Sequence, residues 1–153
     1  MEKETPPSEA MGLVNLASPR MGTEIHSVSD DFFAEAPRML QDTIPVFVPD
    51  KFDDNGKWMD GWESRRRRQG GHDWRIIKLG VPGVIRLVDI NTAHFTGNYP
   101  PGAMIEAGHS ADGDISKVEW KTLVDQVHLG PDSHHTLPTN TLGPVNMVRL
   151  NIY

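Results

Sequence analysis

The densest chemistry in this sequence lies between Gly56 and Trp74, in the stretch GKWMDGWESRRRRQGGHDW. Trp58, Trp62 and Trp74 frame Asp60, Glu63, four consecutive arginines, His72 and Asp73 there. Carboxylates beside an imidazole can exchange protons with a bound molecule, and a guanidinium offers paired donors to a planar anion. Were the segment a strand, Arg65 and Arg67 would face one way and Arg66 and Arg68 the other, leaving at most a pair for any one site. The outer arginines also fit a solvated basic edge that blocks strand-to-strand aggregation. Nucleic-acid targeting is disfavoured, because a net charge of -6 repels phosphate backbones.

Further candidates are scattered. Phe95-Thr96-Gly97-Asn98-Tyr99-Pro100-Pro101 reads as a turn that could present Asn98 from a rigid β scaffold. Glu106 shares a pleat face with Met104, opposite Ile105 and Ala107. Facing inward it would need a partner or a proton and would mark a site; facing outward it is a surface glutamate. His94, His109, His128, His134 and His135 show no zinc-motif spacing, and His134-His135 reads as an exposed loop between Pro131 and Pro138. With no cysteine in the chain, a metal would need His, Asp or Glu ligands; a divalent ion is compatible with the sequence but not indicated by it.

The elements that must hold these residues read mainly as strands. At 153 residues the chain is the size of one domain, and 37% hydrophobic against 24% charged residues places it among folded globular proteins. Fourteen glycines and twelve prolines exclude a fold of long helices. Residues 1–12 read as a disordered tail and 13–153 as a single domain. A short helix is expected after Ser29, stopped by Pro37, followed by a strand at Ile44 to Val48 and a turn at Asp53-Asp54-Asn55-Gly56. Strands are expected at Trp74 to Leu79, Val84 to Asn91, Ala103 to His109, Thr122 to Leu129 and Val145 to Tyr153, with a helix through Ile115 to Asp125 as the competing reading. In the last strand Val148, Leu150 and Ile152 make a core face and Met147, Arg149 and Asn151 a wet one. Short strands with Gly and Pro corners predict an all-β antiparallel sandwich of jelly-roll type. The absence of a long apolar run or signal core predicts a soluble, cytoplasmic protein.

The blocks LVNLASPR (Leu13 to Arg20), SDDFFA (Ser29 to Ala34), GKWMDGWESRRRR (Gly56 to Arg68), HDWRIIKLGVPGVIR (His72 to Arg86), FTGNYPP (Phe95 to Pro101) and VRLNIY (Val148 to Tyr153) resemble allantoicases, in that family's order and over almost everything after the tail. The resemblance implies a jelly roll similar to galactose-binding and discoidin modules. It also implies hydrolysis of allantoate to ureidoglycolate and urea, a step of allantoin and purine breakdown. Because allantoicases carry two such domains in tandem, the chain corresponds to the first, and a homo-oligomer or a second domain is the expected partner. An inactive half-length remnant and a non-catalytic binding module on the same scaffold stay open. Residue chemistry at the matched positions assigns Glu63 and His72 to acid and base work, with Asp60 or Asp73 orienting. Arg65 or Arg66 would take the substrate carboxylate, and Asn98, with Glu106 if that strand face is inward, would contact the substrate. At least two of the three tryptophans are expected in the core.

Overall fold

Alternation of side chains along the last strand sets the frame of the molecule, and a computed structural model describes residues 3–153 of it. The strands in chain order are β1 (Glu24–Val28), β2 (Phe52–Asp53), β3 (Gly56–Lys57), β4 (Asp73–Gly83), β5 (Leu87–Asn91), β6 (Gly102–Gly108), β7 (Lys121–His128), β8 (His134–Pro138) and β9 (Val145–Ile152). Five of them form one antiparallel sheet in the order β1-β4-β9-β6-β7, with β9 at its centre. β5 and β8 pair antiparallel as a second layer, from which Val88, Ile90 and Leu137 pack onto the core. The result is an all-β antiparallel sandwich.

The core lies between these layers. Ile77 and Leu79 of β4, Val148 and Leu150 of β9, Ala103, Ile105 and Ala107 of β6 and Leu123 of β7 are all buried. Period-two side-chain placement makes them a continuous apolar face. The opposite face of β9, expected to be wet, is covered instead. Met147 is fully buried with Ile76 and Val118, and Trp74, Ile115 and Trp120 pack around them. The connection before β7 makes only a 3-10 turn, Ile115–Lys117, and folds across this face, so the competing helix does not form.

Other expectations change for stated physical reasons. No helix follows Ser29; its hydroxyl donates to Asp73 and accepts the Trp74 amide, and the helical turn begins later, at Ala36–Leu40. Residues 44–48 form no strand, because Pro45 and Pro49 remove ladder donors. The turn at Asp53 to Gly56 does form and joins β2 to β3. β4 runs on through Gly80 and Pro82, where its register to β9 shifts and a missing N–H is tolerated. β1 and β8 carry too little alternation to announce themselves. The segment read as a loop at His134-His135 is strand, with His134 Nδ1 2.7 Å from Asp89 and its Nε2 3.1 Å from Glu4. Glu4 also donates its amide N–H to the Asp42 carbonyl at 3.0 Å, so the described part of residues 1–12 touches the rest of the chain at Glu4; Met1 and Glu2 of that segment lie outside the described residues. Among the described residues no helix is long and apolar enough to cross a membrane.

One close approach is set by a missing side chain. A Cβ on Gly80 would stand 2.7 Å from the Gly22 Cα and collide with the Met21 carbonyl. Gly80→Ala should therefore destabilise the fold by about 2 kcal/mol or more, as overpacking does. Gly97→Ala, where nothing lies within 4 Å, should stay within about 0.5 kcal/mol of the parent. Urea denaturation of the two variants checks the contrast.

Candidate active site

The arginine segment is irregular backbone pinned to the sandwich at a few points. Glu63 exchanges backbone hydrogen bonds with Ala34, at 3.1 Å in each direction, and its carbonyl also accepts the Phe33 amide. Two residues on, Asp30 accepts the Arg65 amide at 3.1 Å and the Arg65 Nε at 2.7 Å, while its carbonyl accepts the Trp62 indole N–H at 2.7 Å. Arg67 Nη2 donates to the buried carboxylate of Asp73 at 2.8 Å, and Ser29 donates to the same oxygen at 2.9 Å. The odd-numbered arginines are thus spent on acids of the scaffold. Arg66 and Arg68 are exposed.

These anchors border a cleft lined by Asp60, Glu63, Arg66, Asp73, Arg75 and Asn98, with Trp62 and Phe95 among its apolar walls. Glu63 is half-buried, and Asn98 Nδ2 donates to its Oε1 at 2.9 Å. Burial pushes the Glu63 carboxyl above its ordinary range, against the opposing effect of the Asn98 hydrogen bond. A carboxyl that holds its proton more readily is suited to give it to a leaving group. Asp60 accepts the Val46 amide at 2.9 Å and so ties the 44–48 segment to the cleft wall.

His72 and Glu106 belong to a different group of contacts. Ile105 and Ala107 take the core side of β6, so Glu106 faces the other way, where Arg149 grips it through Nε at 2.9 Å and Nη2 at 3.0 Å. Those bonds hold its carboxyl below the usual range. Asn151 Nδ2 donates to Glu106 at 3.0 Å, which turns Asn151 Oδ1 toward His72 Nε2, also at 3.0 Å. An ionised carboxylate only accepts, so the amide orientation is fixed; Nε2 then carries the His72 proton and Nδ1 is the basic nitrogen. His72 reaches the rim of the cleft beside Tyr153, whose ring centroid lies 5.2 Å away.

Asp60, Glu63, Asp73, Arg66, Asn98 and His72 all line one cavity that extends through the sandwich; direct contacts join Glu63 to Asn98 and His72 to Asn151. The structure commits Arg65 to Asp30 and places Glu106 behind His72. Of the tryptophans, Trp62 packs on the core and Trp74 on the covered outer face, whereas Trp58 lies under the cations of Lys51, 4.0 Å from its ring centroid, and Arg38. Two residues went unnoticed in the sequence, Arg75 in the cleft and Asn151 on the opposite face of the sheet. Arg75 shares a pleat face with Ile77 and Leu79, so a lone cation on an otherwise apolar face was the available signal. Asn151 had none, because the cover over its strand face is not local in sequence. Among the described residues no three His, Asp or Glu side chains gather as a metal-ligand set.

Comparison with known proteins shows what the chain is similar to. A family model described as an allantoicase repeat matches residues 14–153. A probable allantoicase of Acinetobacter baumannii (strain ACICU) is 52% identical over 139 residues, which cover 91% of this chain and 41% of that protein. The crystal structure of the allantoicase of Saccharomyces cerevisiae superposes with a TM-score of 0.78 at 32% identity, covering 92% of this chain and 44% of that one. A family 32 carbohydrate-binding module from Streptococcus pneumoniae EndoD shares the fold, with a TM-score of 0.57 at 16% identity, 92% of this chain and 86% of that one. The chain spans less than half the length of the curated relatives it matches.

Glu63 also links the site to stability. Its folded pKa is raised, so the folded state is favoured below the unfolded value of about 4.5, and that advantage is lost as pH rises through the folded value. Glu63→Gln keeps an acceptor for Asn98 and removes the buried charge. The melting temperature of the variant relative to the parent should rise between about pH 4 and pH 7. A difference that is flat or falls with pH would contradict the burial of this carboxylate.

Proposed function

The chain belongs to the allantoicase repeat family, and from that premise we propose that its cleft hydrolyses allantoate to ureidoglycolate and urea. Allantoate carries one carboxylate and two neutral ureido groups on a single carbon. A site for it needs a cation, amide-type partners, an acid for the departing urea and a base for water. The cleft offers each of these, and the observation that carries the reading is the half-buried Glu63, whose carboxyl is pushed above its ordinary range by burial and accepts a hydrogen bond from Asn98.

In this mechanism His72 Nδ1 takes a proton from water as its oxygen bonds to the central carbon. One C–N bond breaks, Glu63 gives its proton to the leaving urea nitrogen, and solvent returns the proton from His72 to Glu63. Asn98 holds a ureido group, and Asp60 and Asp73 fix the walls and the arginine segment. Arg66, unlike Arg65, makes no ion pair among the described residues and draws the anion toward the mouth of the cleft. Glu106 acts through Asn151, fixing the tautomer of His72. Self-association or pairing with a second repeat, in a cytoplasmic setting, completes the reading.

Urea release from allantoate tests it, with the purified chain alone, mixed with the second repeat of a full-length relative, and with divalent metal or chelator. Glu63→Gln and His72→Ala should each lower turnover by roughly a hundredfold or more while circular dichroism stays parental. Parental urea release from both variants, or none from the parent in any mixture, would reject the assignment.

A further inference from the structure

Within the cleft one buried charge lacks its counterpart. Arg75 on β4 is 4% exposed, and its Nε and Nη1 are sealed from solvent with no hydrogen-bond partner among the described residues. Asp73, two residues away on the same pleat face, is occupied by Arg67 and Ser29. Burial pushes the Arg75 guanidinium well below the usual arginine range, and no neighbouring acid counters it. A buried cation left without a partner is among the most costly arrangements in a protein interior, and such groups cluster where a ligand completes them.

We infer that Arg75 is the anion seat of the cleft, where a small monocarboxylate bearing neutral amide-type groups docks in the plane of its guanidinium. The inference deepens the hydrolytic reading and rests on it for the identity of the substrate. The Trp62 ring lies 4.1 Å from Arg75 Cζ and covers one face of the guanidinium, so a ligand must come to an edge. Two edges can grip a carboxylate in a bidentate manner, Nε with Nη2 and Nη1 with Nη2, and each contains one of the unpartnered atoms. Trp62 is itself held by its indole bond to Asp30, which makes the backing wall rigid. Asp73 lines the same cleft, and its charge disfavours a multiply charged anion such as phosphate more than a monocarboxylate. The exposed arginines are weaker anchors, since a pair formed in water contributes little.

The test compares the parent chain with Arg75→Met and Arg75→Lys by titration calorimetry, using allantoate, glyoxylate as a minimal carboxylate, and allantoin, which has no free carboxylate. Arg75→Met should lose roughly ten- to a hundredfold in affinity for both carboxylates and leave allantoin binding unmoved. Without ligand it should melt at or above the parental temperature, because removing an unpaired buried charge relieves the fold. If Arg75→Met does not fold, Arg75→Lys, which keeps charge but not the planar fork, should show the carboxylate-selective loss. Parental carboxylate affinity in the folded variant, equal losses for allantoin, or no binding of either carboxylate by the parent would overturn the seat. Urea release separates the two claims. Turnover with an unchanged KM in Arg75→Met removes the seat and spares the reaction, whereas selective loss of binding in a parent that makes no urea does the reverse.

Discussion

β4 changes character along its length, and the rest of the site follows from that change. Its inward face carries Ile77 and Leu79 at one end and Asp73 and Arg75 at the other. The pleat forces all four to the interior side. The sandwich therefore closes as a dry core around the first pair and opens as a polar cleft around the second. Arg75 opposes Leu150 across the β4–β9 ladder, so the cation cannot leave the interior without breaking the central pairing of the sheet. A polar cleft is thus built into the register itself.

The loops then supply what strands cannot. An irregular segment can place consecutive side chains in unrelated directions, but only if its backbone is fixed from outside. Asp30 and the Ala34–Glu63 backbone pair do this for residues 62–65, and the Arg67–Asp73 bond ties the far end of the segment to the start of β4. Two of the four arginines are consumed as fasteners. Their value lies in geometry, since the Arg65 and Arg67 side chains are substantially exposed and their ion pairs are screened.

How much of this was legible in the sequence depended on whether the signal was local. The sandwich could be read because Val148, Leu150 and Ile152 alternate and because Gly and Pro punctuate every corner. The cluster from Asp60 to Asp73 could be read because its residues are contiguous. Contacts made across the chain could not. Ser29 looks like a helix cap by composition yet spends its hydroxyl on Asp73, forty-four positions away. Met147 sits on the strand face that alternation assigns to solvent, but the loop carrying Val118 covers it. Residues 44–48 are rich in β-branched side chains, and Pro45 within the run and Pro49 after it deny them a ladder. Arg75 was hidden for the opposite reason: a single cation inside an apolar run reads as a surface residue unless the parity of the strand is followed through it.

His72 joins the two faces of the sheet. Its ring stands at the cleft rim, while its Nε2 is bound by Asn151, which lies on the far side of the sheet together with Arg149 of β9 and Glu106 of β6. Arg149 also lies 4.4 Å over the Trp120 ring, so the loop that covers the outer face helps to fix the guanidinium holding Glu106. The chain Trp120, Arg149, Glu106, Asn151, His72 runs from a packed aromatic to an imidazole nitrogen, and every link is a contact of 4.4 Å or less. Each member has only one arrangement that satisfies its neighbour: a carboxylate accepts, the amide must then present its oxygen, and the ring must donate. A proton position at the cleft is therefore determined by packing on the opposite side of the sheet, through the same central strand that fixes Arg75 within.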